Sequence, residues 1–266
     1  MKIIGWFFVV VVSSASQTVT PTAQQRYEVL GGKLFEFPAK ETTKELLAPG
    51  AKLQRLQTDD IAQRVRDLRG LTTQTITSVL NAPPQVGAPD VRKAIEELQG
   101  SLSGRQKELG ERGLPYAHQA KLRGTIDSMV VAFAVLKGPA ATPAPDPFIQ
   151  FYVRTQTGWV LSAESAGDLE GRTIQIATLQ SPNQGEVWVI AWGMKYGDNG
   201  ARISARLYAF STSAIRTLWS RDDLAGGEIQ INQNHVILSY QEMSAQHDHP
   251  PREVREELQV TPNGLQ

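Results

Sequence analysis

Asp168-Leu-Glu-Gly-Arg-Thr-Ile-Gln-Ile176 and Asp223-Leu-Ala-Gly-Gly-Glu-Ile-Gln-Ile231 are two copies of one pattern, D-L-x-G-x-x-I-Q-I, in the same chain. The likeness extends to both sides. Upstream, Phe148-Ile-Gln-Phe-Tyr-Val-Arg154 before Thr-Gln-Thr-Gly parallels Ile203-Ser-Ala-Arg-Leu-Tyr-Ala-Phe210 before Ser-Thr-Ser-Ala. Downstream, Glu186-Val-Trp-Val-Ile-Ala-Trp192 parallels His235-Val-Ile-Leu-Ser-Tyr240, and a partial third copy occupies 252–266. Recurrence of this kind marks repeated supersecondary units, here 148–192 and 202–241.

Each unit reads as four short strands, rich in Ile, Val, Trp and Tyr, between Gly, Asn and Pro turns. The strands of the first fall at 148–154, 159–162, 173–179 and 186–192; those of the second at 202–210, 215–220, 228–232 and 235–241. The cadence is that of propeller blades. A closed propeller typically needs at least about four, so two units and a fraction fit better as two sheets packed face to face. The Asp-Leu-x-Gly corner follows from turn chemistry: Gly takes a positive φ, Asp bonds nearby N–H groups, and Leu plugs the sheet. The continuous apolar run Val187-Trp-Val-Ile-Ala-Trp192 predicts a central strand covered on both faces, the second face lying under the N-terminal half.

That N-terminal half reads as mainly helical over 18–137. Thr58 is a predicted N-cap, with Asp59 and Asp60 in a first turn that favours anions. Ile61, Val65 and Leu68 form one apolar stripe, interrupted at Gly70 before a Thr-rich segment. Pro83-Pro84 ends any helix. Asp90 caps a further helix with Val91, Ile95, Leu98 and Leu102 on one face. Leu122, Ile126, Met129, Phe133 and Leu136 predict a last helix. The Pro-rich stretch 138–147 reads as a semi-rigid linker to the β module at 148–266. The fold class expected is α+β: a helical region, then an antiparallel module of two duplicated four-stranded units plus a closing strand, sandwich-like or blade-like.

Residues 1–17 have the make-up of a secretory signal peptide: Lys2, an apolar run from Ile3 to Val12, and Ser13-Ser-Ala-Ser16. The apolar run is short of the roughly 20 residues that cross a bilayer, so the expectation is a periplasmic or secreted chain with no transmembrane segment after cleavage. There are no cysteines, which removes disulfides and cysteine nucleophiles alike. Lys plus Arg and Asp plus Glu balance at 27 each, without the basic excess of a nucleic-acid binder.

Chemistry-bearing motifs are few. Gly100-Ser-Leu-Ser-Gly104 puts Leu where a nucleophilic serine belongs, and no zinc-protease, phosphate-loop or calcium-loop pattern occurs. His247-Asp248-His249, with His235 as a further nitrogen, offers donors for a divalent transition metal. Asp168, Asp222 and Asp223 are the carboxylates a hydrolase of a surface polymer would need as acid and base. Arg202, Ser204 and Arg206 alternate on one strand face, and Trp159, Trp188, Trp192, Tyr208, Trp219 and Tyr240 are placed mainly in the core. With no catalytic cofactor and no assembled catalytic set in view, the expectation is a non-catalytic binding or interaction module whose partner is an envelope protein or polysaccharide. Polymer hydrolysis is the alternative, and metal binding the second.

Overall fold

The computed structural model describes residues 22–28, 50–100, 114–122, 124–137, 144–166, 169, 171, 173–197, 200–242 and 251–266. Helix α1 (23–28) opens with a reciprocal capping box: the Thr22 hydroxyl accepts from Gln25 N–H, and Gln25 Oε1 accepts from Thr22 N–H. It carries the fully buried Tyr27 into the core. Helix α2 (Gly50–Leu80) runs unbroken through Thr58 and Gly70, so Thr58 is no cap. In the Thr-rich segment the hydroxyls of Thr72, Thr73, Thr75 and Thr77 each donate to the carbonyl four residues back, which satisfies them without taking a backbone N–H from the helical ladder. Helix α3 (Ala88–Gly100) buries Val91, Ile95 and Leu98 as the spacing predicts. Asp90 is not its N-cap. Its carboxylate reaches back to the Gly87 N–H at 2.8 Å, the far half of a capping box.

The helices cover one face of a four-stranded antiparallel meander, β1 (Tyr116–Leu122), β2 (Ile126–Lys137), β3 (Ala144–Thr155) and β4 (Gly158–Ala166). Three of these strands correct the sequence reading. The predicted last helix is the β1–β2 hairpin, closed by a turn in which Thr125 N–H donates to the Leu122 carbonyl. Residues 128–135 are all buried, so β2 carries no polar alternation. An unbroken apolar run satisfies a helical stripe by accident. The stretch read as a linker is also partly strand: Pro145 and Pro147 pair with Leu136 and Ala134 on the β2 side, while β4 joins only from Phe148 onward. A residue without an N–H is tolerated where one side of the ladder is open.

The helix–sheet core holds Leu68, Ile76, Ile95, Leu98, Met129, Phe133, Tyr152 and Trp159. Buried polar groups thread through it in satisfied pairs. Tyr27 is hydrogen-bonded to Thr72 and Gln99, and Gln99 donates to the Ala134 carbonyl at 2.9 Å. The Tyr152 hydroxyl donates to Gln150 Oε1 at 2.6 Å, while Gln150 Nε2 donates to Thr73 and Glu164. Arg69 pairs with Glu164 at 3.0 Å. At the rim, Asn81 follows α2 and clasps β4: its Oδ1 accepts from Trp159 N–H at 2.8 Å, and its Nδ2 donates to the Trp159 carbonyl at 3.1 Å.

A second, seven-stranded antiparallel sheet follows, built from β5 (Thr173–Leu179), β6 (Val187–Gly197), β7 (Gly200–Phe210), β8 (Ile215–Asn232), β9 (His235–Glu242), β10 (Arg252–Thr261) and β11 (Gly264–Leu265), each hydrogen-bonded to the next. Its β5–β7 face packs on the first sheet through Ile174, Val187, Val189, Ala191, Tyr208 and Phe210, against Val130, Ala132, Ile149 and Phe151. The run 187–191 is buried on both faces, as its composition implies. What covers the second face differs from expectation. Trp188 and Ile190 lie under Val236, Leu238 and Leu258 of the same sheet, not under the helices.

The sheet reaches back over itself at β8, which pairs with β7 up to Ala225 and with β9 from Ala225 onward. Positive φ at Asp223 and Gly226, and a bulge between Ala225 and Glu228, produce the bend. The second D-L-x-G is therefore a bend within one strand. The first leads into β5, with Leu169 buried and Gly171 packed on the backbone of Gly193 and Met194. The overlap is fastened by partly buried side chains: Arg221 lies 3.4 Å from Glu256, which also accepts from the Tyr240 hydroxyl at 2.7 Å. Asn183, in the β5–β6 loop, donates to the Pro262 carbonyl in the β10–β11 turn.

Candidate functional site

The two sheets meet with the outer strands β1 and β5 on the same side, and a groove of about 580 Å³ opens there. Its floor is Ala120, Leu179 and Val187. One wall comes from β1 and its turn, with His118, Lys121 and Gly124; the other is the end of β5 and the loop beyond it, with Thr178, Gln180, Ser181, Asn183, Gln184 and Glu186.

The loop wall is held in place by its own short-range bonds. The Ser181 hydroxyl accepts from Asn183 N–H and donates to the Asn183 carbonyl, and Gly185 takes a φ of 84° that an L side chain rarely adopts. Glu186 anchors the base. Burial opposes its charge, but hydrogen bonds from Trp188 Nε1 (2.9 Å), Asn183 and Arg216, together with the Arg216 charge, outweigh this and hold its carboxyl below the usual range. Glu186 is thus an ionised structural anchor with its lone pairs committed. At the opposite end, Tyr116 bonds Thr178 across the gap, and burial raises its hydroxyl pKa. Its ring stacks on His118 at 6.4 Å between centroids. Desolvation at the wall lowers the His118 pKa from the ordinary value, although much of the ring faces solvent, so the imidazole is neutral near pH 7 and offers one donor and one acceptor. Lys121 lies 3.7 Å from Asp127. Gln180 and Gln184 make no side-chain hydrogen bond among the described residues and line the groove with amide donors and acceptors.

The described residues among those singled out from sequence lie outside the groove. His247, Asp248 and His249 fall outside the described residues. His235 begins β9 and pairs with Gln259, while Glu242 pairs with Arg252 at the far end of that ladder. Seven residues of strand, about 23 Å, separate the two ends. The His235 Nδ1 is buried 3.4 Å from Glu257 Oε1 without hydrogen-bond alignment. No cluster of three or more metal-ligating side chains occurs among the described residues. Asp168 also falls outside them. Asp223 pairs with Arg202, and Asp222 with Arg206 at 2.7 Å, both carboxylates well exposed. The Arg202–Arg206 face is thereby matched charge for charge. Trp159, Trp188 and Tyr208 are core, while Trp192, Trp219 and Tyr240 pack partly buried at the third core.

Sequence inspection missed the groove because its walls are some sixty positions apart and neither carries a motif. The only local signal was the Ser181-Pro-Asn-Gln-Gly185 turn. No protein-family profile, curated protein or solved structure matches the chain. Among the described residues, no helix is long and apolar enough to cross a membrane.

Proposed function

We propose that this chain is an exported, non-catalytic binding module, and that the groove between β1 and the β5–β6 loop holds its ligand. The observation that carries the reading is the wall 178–187: a loop fixed by Ser181, Asn183 and Glu186 that presents amide and hydroxyl groups over an apolar floor. A wall ordered before binding loses little entropy on binding. Its charges are internally compensated, Glu186 by Arg216 and Lys121 by Asp127. That balance favours a neutral, hydroxyl-rich ligand such as an envelope polysaccharide segment over a charged polymer. The neutral His118 imidazole adds one donor and one acceptor to the opposite wall. The two D-L-x-G segments fit a duplicated strand unit whose copies took different roles, one leading into an outer strand and the other bending β8.

The test is calorimetric titration of the chain from Gln17 onward with neutral polysaccharides from its own envelope. Replacing Gln180→Ala together with His118→Ala is expected to weaken binding at least tenfold, about 1.4 kcal/mol, with the melting temperature unchanged. Affinity indifferent to both substitutions would place the ligand elsewhere, and no heat with any neutral polymer would remove this ligand class.

A further inference from the structure

Four strands end the two sheets: β1 and β4 in the first, β5 and β11 in the second. An outer strand offers unpaired backbone N–H and C=O groups to any other chain, and proteins blunt such edges with charge, proline, bulges, extreme shortness or a covering group. Three of the four carry such a device. In β4, Asn81 occupies both outward-facing backbone groups of Trp159, and a bulge interrupts the β3–β4 register at Phe151/Tyr152. β1 carries the exposed, charged Lys121. β11 is two residues long.

Among the described residues, β5 has none of them. Thr173-Ile-Gln-Ile-Ala-Thr-Leu179 contains no charge and no proline, and its register with β6 is regular from Thr173↔Met194 to Leu179↔Trp188. Its residues are of the kind that favour strands. The stretch also complements itself under a twofold axis. Run antiparallel to a second copy and centred on Ile176, it sets Ile176 beside Ile176, Ile174 beside Thr178 and Gln175 beside Ala177, with no like charges opposed. Such a contact is isologous and closes at two subunits.

We propose that β5 is a homodimer interface, joining two copies of this chain edge to edge into one continuous sheet. The pairing uses the β5 backbone rather than the loop beyond it, and it shares only Thr178 and Leu179 with the groove.

Sedimentation velocity of the full chain over a wide concentration range tests it, alongside amide hydrogen exchange of 173–179 at the two extremes. The expected result is a species of twice the chain mass, with slowed exchange of 173–179 on concentration. Gln175→Lys, at an exposed position, is expected to return the protein to monomer with an unchanged melting temperature at low concentration. Gln119→Lys on β1 should leave the dimer intact. A wild-type monomer throughout overturns the proposal, as does a dimer that survives Gln175→Lys with exchange of 173–179 independent of concentration. A monomer whose 173–179 amides become protected only on adding envelope extract also overturns it, assigning the edge to a foreign strand.

Discussion

The clasp between Asn81 and β4 makes a prediction with a sign as well as a size. Asn81 holds both backbone groups of Trp159 and also donates to the Thr77 carbonyl, tying the end of α2 to the β3–β4 hairpin. The site is at the rim, where water replaces part of what is lost, so each of the two cross-element bonds contributes about 0.5–1 kcal/mol. Asn81→Ala should therefore cost about 1–2 kcal/mol. Gly158 sits directly beneath the amide with a φ of +122°, and a Cβ there would fall inside contact distance of Asn81 Oδ1. Gly158→Ala is then penalised twice, by about 1–3 kcal/mol of backbone strain and by expulsion of the Asn81 side chain. In the double variant only the strain remains to be added, because the clasp is already gone. The two costs should fall short of additivity by about 1–2 kcal/mol, the worth of the clasp itself. Urea unfolding of all four proteins, with equal m-values as the check on two-state behaviour, measures this directly. Additive costs, or a Gly158→Ala variant as stable as wild type, would refute the clasp as the link between helix and hairpin.

Two further outcomes are expected. Burial pushes the Tyr27 hydroxyl up to about 12 and the Tyr152 hydroxyl higher still, with Glu164 adding to the latter. The unfolded chain then releases these protons first. The corresponding stability is complete below pH 10 and is lost as pH rises beyond it, with a slope of about 1.4 kcal/mol per pH unit for each tyrosine. Denaturant titrations at pH 9 to 11 check this, and Tyr27→Phe should flatten the slope by the share of one group. Two glycines of the recurring stretches, Gly171 in the first and Gly227 just past the motif glycine of the second, should also differ. A Cβ at Gly171 would meet the backbone of Gly193 and Met194 at 2.7 Å, whereas one at Gly227 would meet only the Ile203 side chain at a similar distance. Backbone cannot yield as a side chain can, so melting curves should show Gly171→Ala as the costlier change.

How much of this was legible follows from what each segment touches. The strand 187–191 could be read because burial on both faces leaves an unmistakable apolar run, and α3 because only one of its faces is covered. The same reasoning misled at β2. It too is buried on both faces, and its Met129, Phe133 and Leu136 happen to fall at helical intervals. Gly70 and the Thr run looked like an interruption of α2 because intrinsic propensity is a weak guide when hydroxyls back-bond and a sheet packs alongside. That Trp188 lies under Leu258 was beyond inspection, since it depends on a bend whose D-L-A-G residues also suit an ordinary turn. The groove was hidden for a plainer reason. His118 and Gln180 come together only through the packing of two sheets.

Every strand in both sheets pairs with its neighbour in sequence, without a crossover. Contacts of that kind close short loops, so each hairpin can form as soon as its second strand is available, and contact order stays low for so β-rich a chain. A polypeptide delivered across a membrane from its N-terminus would be able to build the helix-backed sheet first and then lay β5 to β11 against it one strand at a time. Distant segments meet where the helices back the first sheet, where Asn81 clasps Trp159, where Glu256 of β10 reaches Arg221 and where Asn183 reaches Pro262.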